Sequence, residues 1–412
     1  MTDAVEAVRV GERLTLDVTA VAPGGHCVAR HAGQVVFVRH ALPGEQVVAR
    51  VTEARGGYLR ADAVEILTAA PGRVEPPCPY AGPDRCGGCD WQHADAGTQR
   101  ALKAAVVTEL LTRIGRLGAD EVAALAVTVE ELPGGLLDWR TRVRYAVDRD
   151  GRAGFRAHRS HRVVPVDGCP IATPEVRALP VTGRRWPRDV EVTAVASGAG
   201  DSAVLTHQGT GRRPGPTCVV DGPDTVLEPA VGRRFEVPAD AFWQVHPAAP
   251  DALSRAALDL LAAREGDHVW DLYGGVGLFS AALADVVGDA GSVTMVESGR
   301  QAVRAARRNL AGQARFHAVA ARVERALPTL RAGVDLVLLD PPRSGAGREV
   351  VTALTKAGPR AVCYVACDPA AFARDVRTFT ELGWRLVTLR AFDAFPMTQH
   401  VECVGLFEPG VG

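Results

Sequence analysis

The sequence predicts an α/β protein in three parts: a small N-terminal β-barrel, a cysteine- and arginine-rich middle, and a C-terminal doubly wound, mostly parallel sheet. Three observations predict this. Five short apolar runs fall within the first 70 residues, separated by Pro-Gly and Gly-Gly turn signals. Residues 71–93 are rich in proline and cysteine and show little periodicity. From Pro238 onward, strand-like and helix-like segments alternate regularly, as βα units do.

Bulk composition bounds the class. At 412 residues the chain is long enough for two or three hydrophobic cores. Apolar content of 47% and charged content of 23% are ordinary for a soluble globular protein. No apolar run approaches the roughly 18–20 residues of a membrane span, and residues 1–10 lack a signal-peptide pattern, so the expected compartment is the cytoplasm. Nine cysteines, several of them clustered, then favour metal binding or catalysis over disulfides. A net charge of −1 gives no global sign of nucleic-acid binding, which must come from local patches. Only Lys103 and Lys356 are lysines among the 47 basic residues, an excess of arginine that codon bias alone can produce.

The runs "RLTLDVTAV", "HCVARHAG", "QVVFVRHAL", "EQVVARVTEA" and "YLRADAVEIL" are the five barrel strands, and their number and length fit the oligonucleotide-binding (OB-like) type. Residues 98–117 read as an amphipathic helix that packs on the C-terminal domain. Residues 127–234 hold strand-like runs between Gly and Pro. Within them, residues 140–162 carry eight arginines and two histidines against Asp148 and Asp150, a candidate surface for phosphates. After the helical "ALSRAALDLLAA" come seven strands: "HVWDLYGG", "SVTMVES", "ARFHAV", "VDLVLLDPP", "RAVCYVAC", "WRLVTLRAF" and "VECVGLFE".

Chemistry concentrates at three places. In "DLYGGVGLFS" (271–280), glycines 274, 275 and 277 let the backbone turn between strand and helix and approach a ligand. Glu297 ends the next strand, where a carboxylate can accept both ribose hydroxyls, and Asp340 in "LLDPPR" ends a later strand at the same edge. There is no phosphate-loop Gly-Lys-Ser/Thr, and the turn is not Gly-x-Gly-x-x-Gly. It resembles the S-adenosylmethionine pocket of a class I methyltransferase. In "PCPYAGPDRCGGCDWQH", Cys78, Cys86 and Cys89 form C-x7-C-x2-C, and Cys169 in "VDGCP" is a natural fourth ligand. Four thiolates suit zinc or an iron–sulfur cluster, and spacing alone does not choose between them. Finally, Cys367 closes the strand "YVACDP", and Glu402 lies where "FPMTQHVECV" enters the last strand. A thiolate added at C6 of uracil makes C5 nucleophilic towards a methyl donor. A base must then take the C5 proton so that the cysteine can leave. Cys363, four residues earlier, suits the role of an inert core thiol.

The C-terminal half resembles the RNA uracil-C5 methyltransferases of the TrmA/RlmD type, through "FWQVHP" (242–247), "DLYGGVG" (271–277), "DPPRSG" (340–345), "ACDP" (366–369) and "FPMTQHVE" (395–402). The segment "GGHCVARHAGQVVFVRHALPGE" (24–45) resembles a TRAM domain. The four cysteines match the [4Fe–4S] ligands of the cluster-bearing branch. The resemblance implies an α/β class I methyltransferase fold (Rossmann-like) over 236–412, a TRAM barrel over 1–70 and a central α+β iron–sulfur domain over 71–235. It implies Cys367 as nucleophile and Glu402 as base. It also implies Gln244, Tyr273, Glu297 and Asp340 as S-adenosylmethionine contacts, and Cys78, Cys86, Cys89 and Cys169 as cluster ligands. The implied substrate is a flipped-out uridine of 23S rRNA, converted to 5-methyluridine by a monomer, with the T-loop of tRNA as the alternative. Arg30, His31, Arg39, His40 and Phe155 are further candidate RNA contacts. Gly274 stands where many members have cysteine, and Asp368 where asparagine is common. Leu278 and Ala320 replace polar residues of relatives, which prompts a reading of another class: an RNA-binding iron–sulfur protein with a decayed methyltransferase domain.

Overall fold

The computed structural model of the chain describes residues 8–209 and 215–410. No helix among the described residues is long and apolar enough to cross a membrane.

The N-terminal sheet has six strands, ordered Arg13–Asp17, Gln46–Arg55, Tyr58–Thr68, Gln34–Arg39, His26–His31, Ala20–Ala22. One more strand appears than the sequence predicts, because "RLTLDVTAV" changes partner midway. Asp17 pairs with Gln46, and two residues on the Thr19 amide donates to Val28 O at 2.8 Å. One continuous run thus serves both edges of the sheet and closes the barrel around Leu16, Val36, Val47 and Leu59.

The expected helix at 98–117 is found at Ala96–Arg113. Asp95 caps it, accepting from the Thr98 amide at 2.7 Å. It stops early because Gly115 packs tightly on the last turn, where a Cβ would lie 2.5 Å from Leu111 O. Val107 and Leu111 bury into the C-terminal core. The following Val129–Glu131 adds an edge strand to the C-terminal sheet, parallel to Trp384–Asp393.

The middle segment folds as a six-stranded antiparallel sheet, in which Arg142–Val147 and Val190–Ala196 are central. Six of the eight arginines in 140–162 are exposed, four of them beside a carboxylate, whereas Arg140 and Arg142 are drawn inward. Arg142 is buried, donating to Glu228 at 3.1 Å and to the carbonyls of Ala239 and Ala241. Arg144 and Arg156 both pair with Glu191, Arg152 with Asp148 and Asp150. Arg39 of the barrel is likewise buried and faces Asp90 at 3.6 Å, so it ties the barrel to the cysteine segment instead of projecting towards RNA. Phe155 is half-buried and stacks on Tyr145 with centroids 5.0 Å apart.

The C-terminal sheet runs Phe316–Ala320, Ser292–Glu297, His268–Leu272, Leu336–Leu339, Ala361–Ala366, Glu402–Pro409, Trp384–Asp393, Val129–Glu131. The first five are parallel, and Glu402–Pro409 is antiparallel to both neighbours. Strand order reverses at His268–Leu272, the switch point where such sheets bind ligands beyond their carboxyl ends. Alternate residues feed the two faces: Cys363, Val365, Val404 and Leu406 one core, Val362, Tyr364, Cys403 and Phe407 the other.

Candidate active site and cysteine cluster

The carboxyl edge of the parallel strands gathers most of the sequence-derived candidates. Asp271 lies in the first strand, Glu297 ends the second, and Asp340 follows Leu336–Leu339. Cys367 follows Ala361–Ala366, whose last residue pairs with Cys403. Glu402, the first residue of the antiparallel strand, therefore lies beside Cys367. By alternation both belong to the face of Cys363, Val365 and Val404. Cys367 is half-buried, while Cys363 is fully buried with its thiol pushed up by burial alone. Asp368 explains its own identity: it caps helix Pro369–Glu381, accepting from the Ala371 amide at 2.7 Å, with proline at the first helical position.

The site is crowded with carboxyl groups. Asp271 is buried and pushed up to about 6 by burial, and Asp340 to about 7 by burial and by Asp271. Burial raises Glu402 well above the usual carboxylate range, and Asp340 adds to it. The Cys367 thiol is pushed up to about 12 by burial, then by Glu402 and Asp340. Arg343, in the "DPPRSG" turn, is the cation that opposes these shifts at both Cys367 and Glu402. Nothing in the motif itself marks this arginine as functional; the positions of two other strands do. The turn is braced from below. The Ala346 amide donates to Asp375 Oδ2 at 2.8 Å, and the Tyr364 hydroxyl donates to the same oxygen at 2.7 Å.

The glycine turn is shaped for close approach. Gly275 and Gly277 have φ of +55° and +93°. A Cβ on Gly274 would lie 2.4 Å from Met295 Cγ, which explains why a cysteine is not accommodated there. Asp271 Oδ2 accepts from Ser280 Oγ at 2.5 Å, and Asp271 Oδ1 has no hydrogen-bond partner among the described residues. Glu297 accepts from the amides of Gly275 and Gly299. Tyr273 is half-buried in the left-handed region, φ +64°. Gln244 comes from a different direction, on the segment between Arg233–Pro238 and helix Ala249–Leu261, and is buried. Its neighbour Val245 is anchored through its carbonyl by the Thr141 amide and hydroxyl. Leu278 is a core residue, and Ala320 is exposed at the end of its strand.

The four cysteines meet at one place. Cys78, Cys86, Cys89 and Cys169 line a single cavity of about 270 Å³, with Arg140, Arg343 and His400 also on its wall. Burial raises Cys86 to about 11 and also raises Cys89 and Cys169, and the thiols raise one another. No group of three or more metal-ligating side chains among the described residues converges tightly enough to hold a single ion.

Comparison with known proteins agrees with this architecture. Residues 7–64 match the TRAM domain, residues 328–409 the tRNA (Uracil-5-)-methyltransferase family and residues 247–361 the methyltransferase small domain. An uncharacterized RNA methyltransferase of Streptomyces avermitilis is 49% identical, over 97% of this chain and 99% of its own. The 23S rRNA (uracil(1939)-C(5))-methyltransferase RlmD of Pseudomonas aeruginosa is 34% identical, over 98% and 96%. The fold matches the crystal structure of Pyrococcus abyssi tRNA (uracil-54, C5)-methyltransferase in complex with S-adenosyl-L-homocysteine. The TM-score is 0.69 and the identity 22%, covering 96% of this chain and 99% of that one. The chain thus belongs to the TrmA-type RNA (uracil-5-)-methyltransferases that carry an N-terminal TRAM domain.

Proposed function

We propose that the chain methylates C5 of one uridine in 23S rRNA, with Cys367 as nucleophile and Glu402 as base. The observation that carries this reading is the pairing of Ala361–Ala366 with Glu402–Pro409. It sets a thiol and a carboxyl side by side on one face, near the half-buried Asp340, which in turn faces the buried Asp271. Gln244, Tyr273, Glu297 and Asp340 hold S-adenosylmethionine, which supplies a methyl group on a sulfonium. Three crowded carboxyls and an unpartnered Asp271 oxygen suit a cationic ligand with hydroxyl and amine donors.

Cys367 gives its proton to solvent and its sulfur bonds to C6 of the uracil; the resulting C5 enolate would take the methyl group as its bond to the sulfonium sulfur breaks, leaving a neutral thioether. Glu402 removes the C5 proton, the C5–C6 double bond re-forms, and the C6–sulfur bond breaks to return the thiolate. Arg343 favours the charged forms of both groups. The relative RlmD, 34% identical over nearly the whole chain, favours rRNA over tRNA.

We also propose that Cys78, Cys86, Cys89 and Cys169 hold a [4Fe–4S] cluster. All four line one cavity, and four thiolates brought to one place suit a cluster. A cluster spreads its thiolates further apart and relieves their mutual repulsion.

Incubation with labelled S-adenosylmethionine and either total rRNA or tRNA tests the substrate. Label at one uridine of 23S rRNA is expected. Label in tRNA alone overturns the rRNA assignment, and label in neither favours an RNA-binding protein with an inactive domain.

A further inference from the structure

Two residues of the helix Ala96–Arg113 reach across to the segment that delivers Glu402. Lys103 is buried, and its Nζ donates to Asp393 Oδ1 at 2.6 Å and to Phe395 O at 3.0 Å. Gln99, one turn earlier, is fully buried. Its Oε1 accepts from the Met397 amide at 2.7 Å, while its Nε2 donates to Ala94 O at 2.8 Å. Met397 is held in the left-handed region, φ +68°, which a methionine adopts only under constraint. Its carbonyl accepts from the amides of Asp90 and Trp91 at 3.0 and 2.9 Å, and Asp90 Oδ2 accepts from the Gln399 amide at 3.1 Å. The eight residues between the strands ending at Asp393 and beginning at Glu402 are therefore clamped at 395, 397 and 399, and the strand end before them at 393.

The identity of the cation is informative. In a chain with 45 arginines and two lysines, position 103 keeps a lysine. A compact ammonium fits an enclosed site with two oxygens, whereas a planar guanidinium presents five donors in a fixed fork.

We infer that Gln99 and Lys103 are positioning residues for Glu402, setting the approach of its carboxylate to the C5 proton. This rests on the reading of Glu402 as the base. The adduct chemistry separates their role from general stability. With uridine RNA, loss of base alignment leaves the C6–sulfur bond intact, so a denaturation-resistant protein–RNA adduct accumulates. With 5-fluorouridine RNA no C5 proton exists to remove, and adduct formation reports only Cys367 and methyl transfer.

Lys103→Met is expected to slow turnover on uridine RNA by about 100-fold with adduct accumulating, the scale of an ångström misplacement. Its rate of trapping by 5-fluorouridine RNA should stay within about threefold of the parent. Gln99→Leu, which keeps the ion pair, carries the same test should Lys103→Met not fold. Equal loss of trapping and turnover in both variants, or unchanged turnover in both, would overturn the inference. Glu402→Gln is the reference. If it accumulates no adduct on uridine RNA, the base assignment itself falls. If it does and neither helix variant does, only the positioning role falls.

Discussion

Burial and then Glu402 and Asp340 push the Cys367 thiol up to about 12, so at pH 7 the unliganded protein holds it as the thiol. The sign follows from the cause. Burial and neighbouring carboxyls disfavour the charged form, so the nucleophile is gained as pH rises. In a single-turnover trap with saturating 5-fluorouridine RNA and S-adenosylmethionine, the base is not needed and the rate follows the thiolate fraction alone. A sulfonium in the site lowers the midpoint, and the slope holds while that midpoint stays above the tested range. The rate should rise about tenfold per pH unit, hence about 100-fold between roughly pH 6.5 and 8.5. Cys363→Ser should trap like the parent and Cys367→Ser not at all. A pH-independent rate across that range would refute the protonated resting thiol, and an adduct surviving in Cys367→Ser would refute the choice of nucleophile.

Other expectations follow from the same edge of the sheet. Asp340→Asn removes a charged acceptor and should weaken S-adenosylmethionine by about 10- to 100-fold in calorimetry, with RNA affinity unchanged. Gly277→Ala places a Cβ 2.7 Å from Leu310 Cδ1 at φ +93°, and should lower unfolding free energy in denaturant by about 2 to 4 kcal/mol. Protein prepared without oxygen should contain roughly four iron atoms per chain and absorb in the visible, and Cys89→Ser should lose both. Zinc in place of iron would remove the cluster assignment.

Periodicity makes the seven C-terminal strands legible, because buried parallel strands read as continuous apolar runs that end in Asp, Glu or Cys at the ligand edge. It fails for Val129–Glu131, since three residues, two of them glutamates, carry no period. Site residues announced by a local motif, such as Cys367 and Asp340, are readable in the chain. Those defined by a distant partner are not. Arg142 looks like its seven neighbouring arginines until Glu228, 86 residues away, buries it. Lys103 meets Asp393 across 290 residues. Arg343 is visible in its motif, but its role depends on where two other strands end. Charge counted along a sequence does not reveal which arginines already have carboxylate partners.

The reversed direction of the strand Glu402–Pro409 has a consequence for which changes in length the chain can tolerate. Cys367 sits where a chain leaves the sheet, Glu402 where a chain enters it, so the two face each other only while both strands keep register. Side chains alternate along a strand, and a one-residue slip would present Val401 or Cys403 in place of the carboxylate. The strand pairs on both sides, so it cannot shift alone. An insertion or deletion in residues 394–401 must therefore be absorbed inside a clamped segment or else turn the carboxylate to the opposite face. The length of that connection is as much a part of the site as the groups it joins.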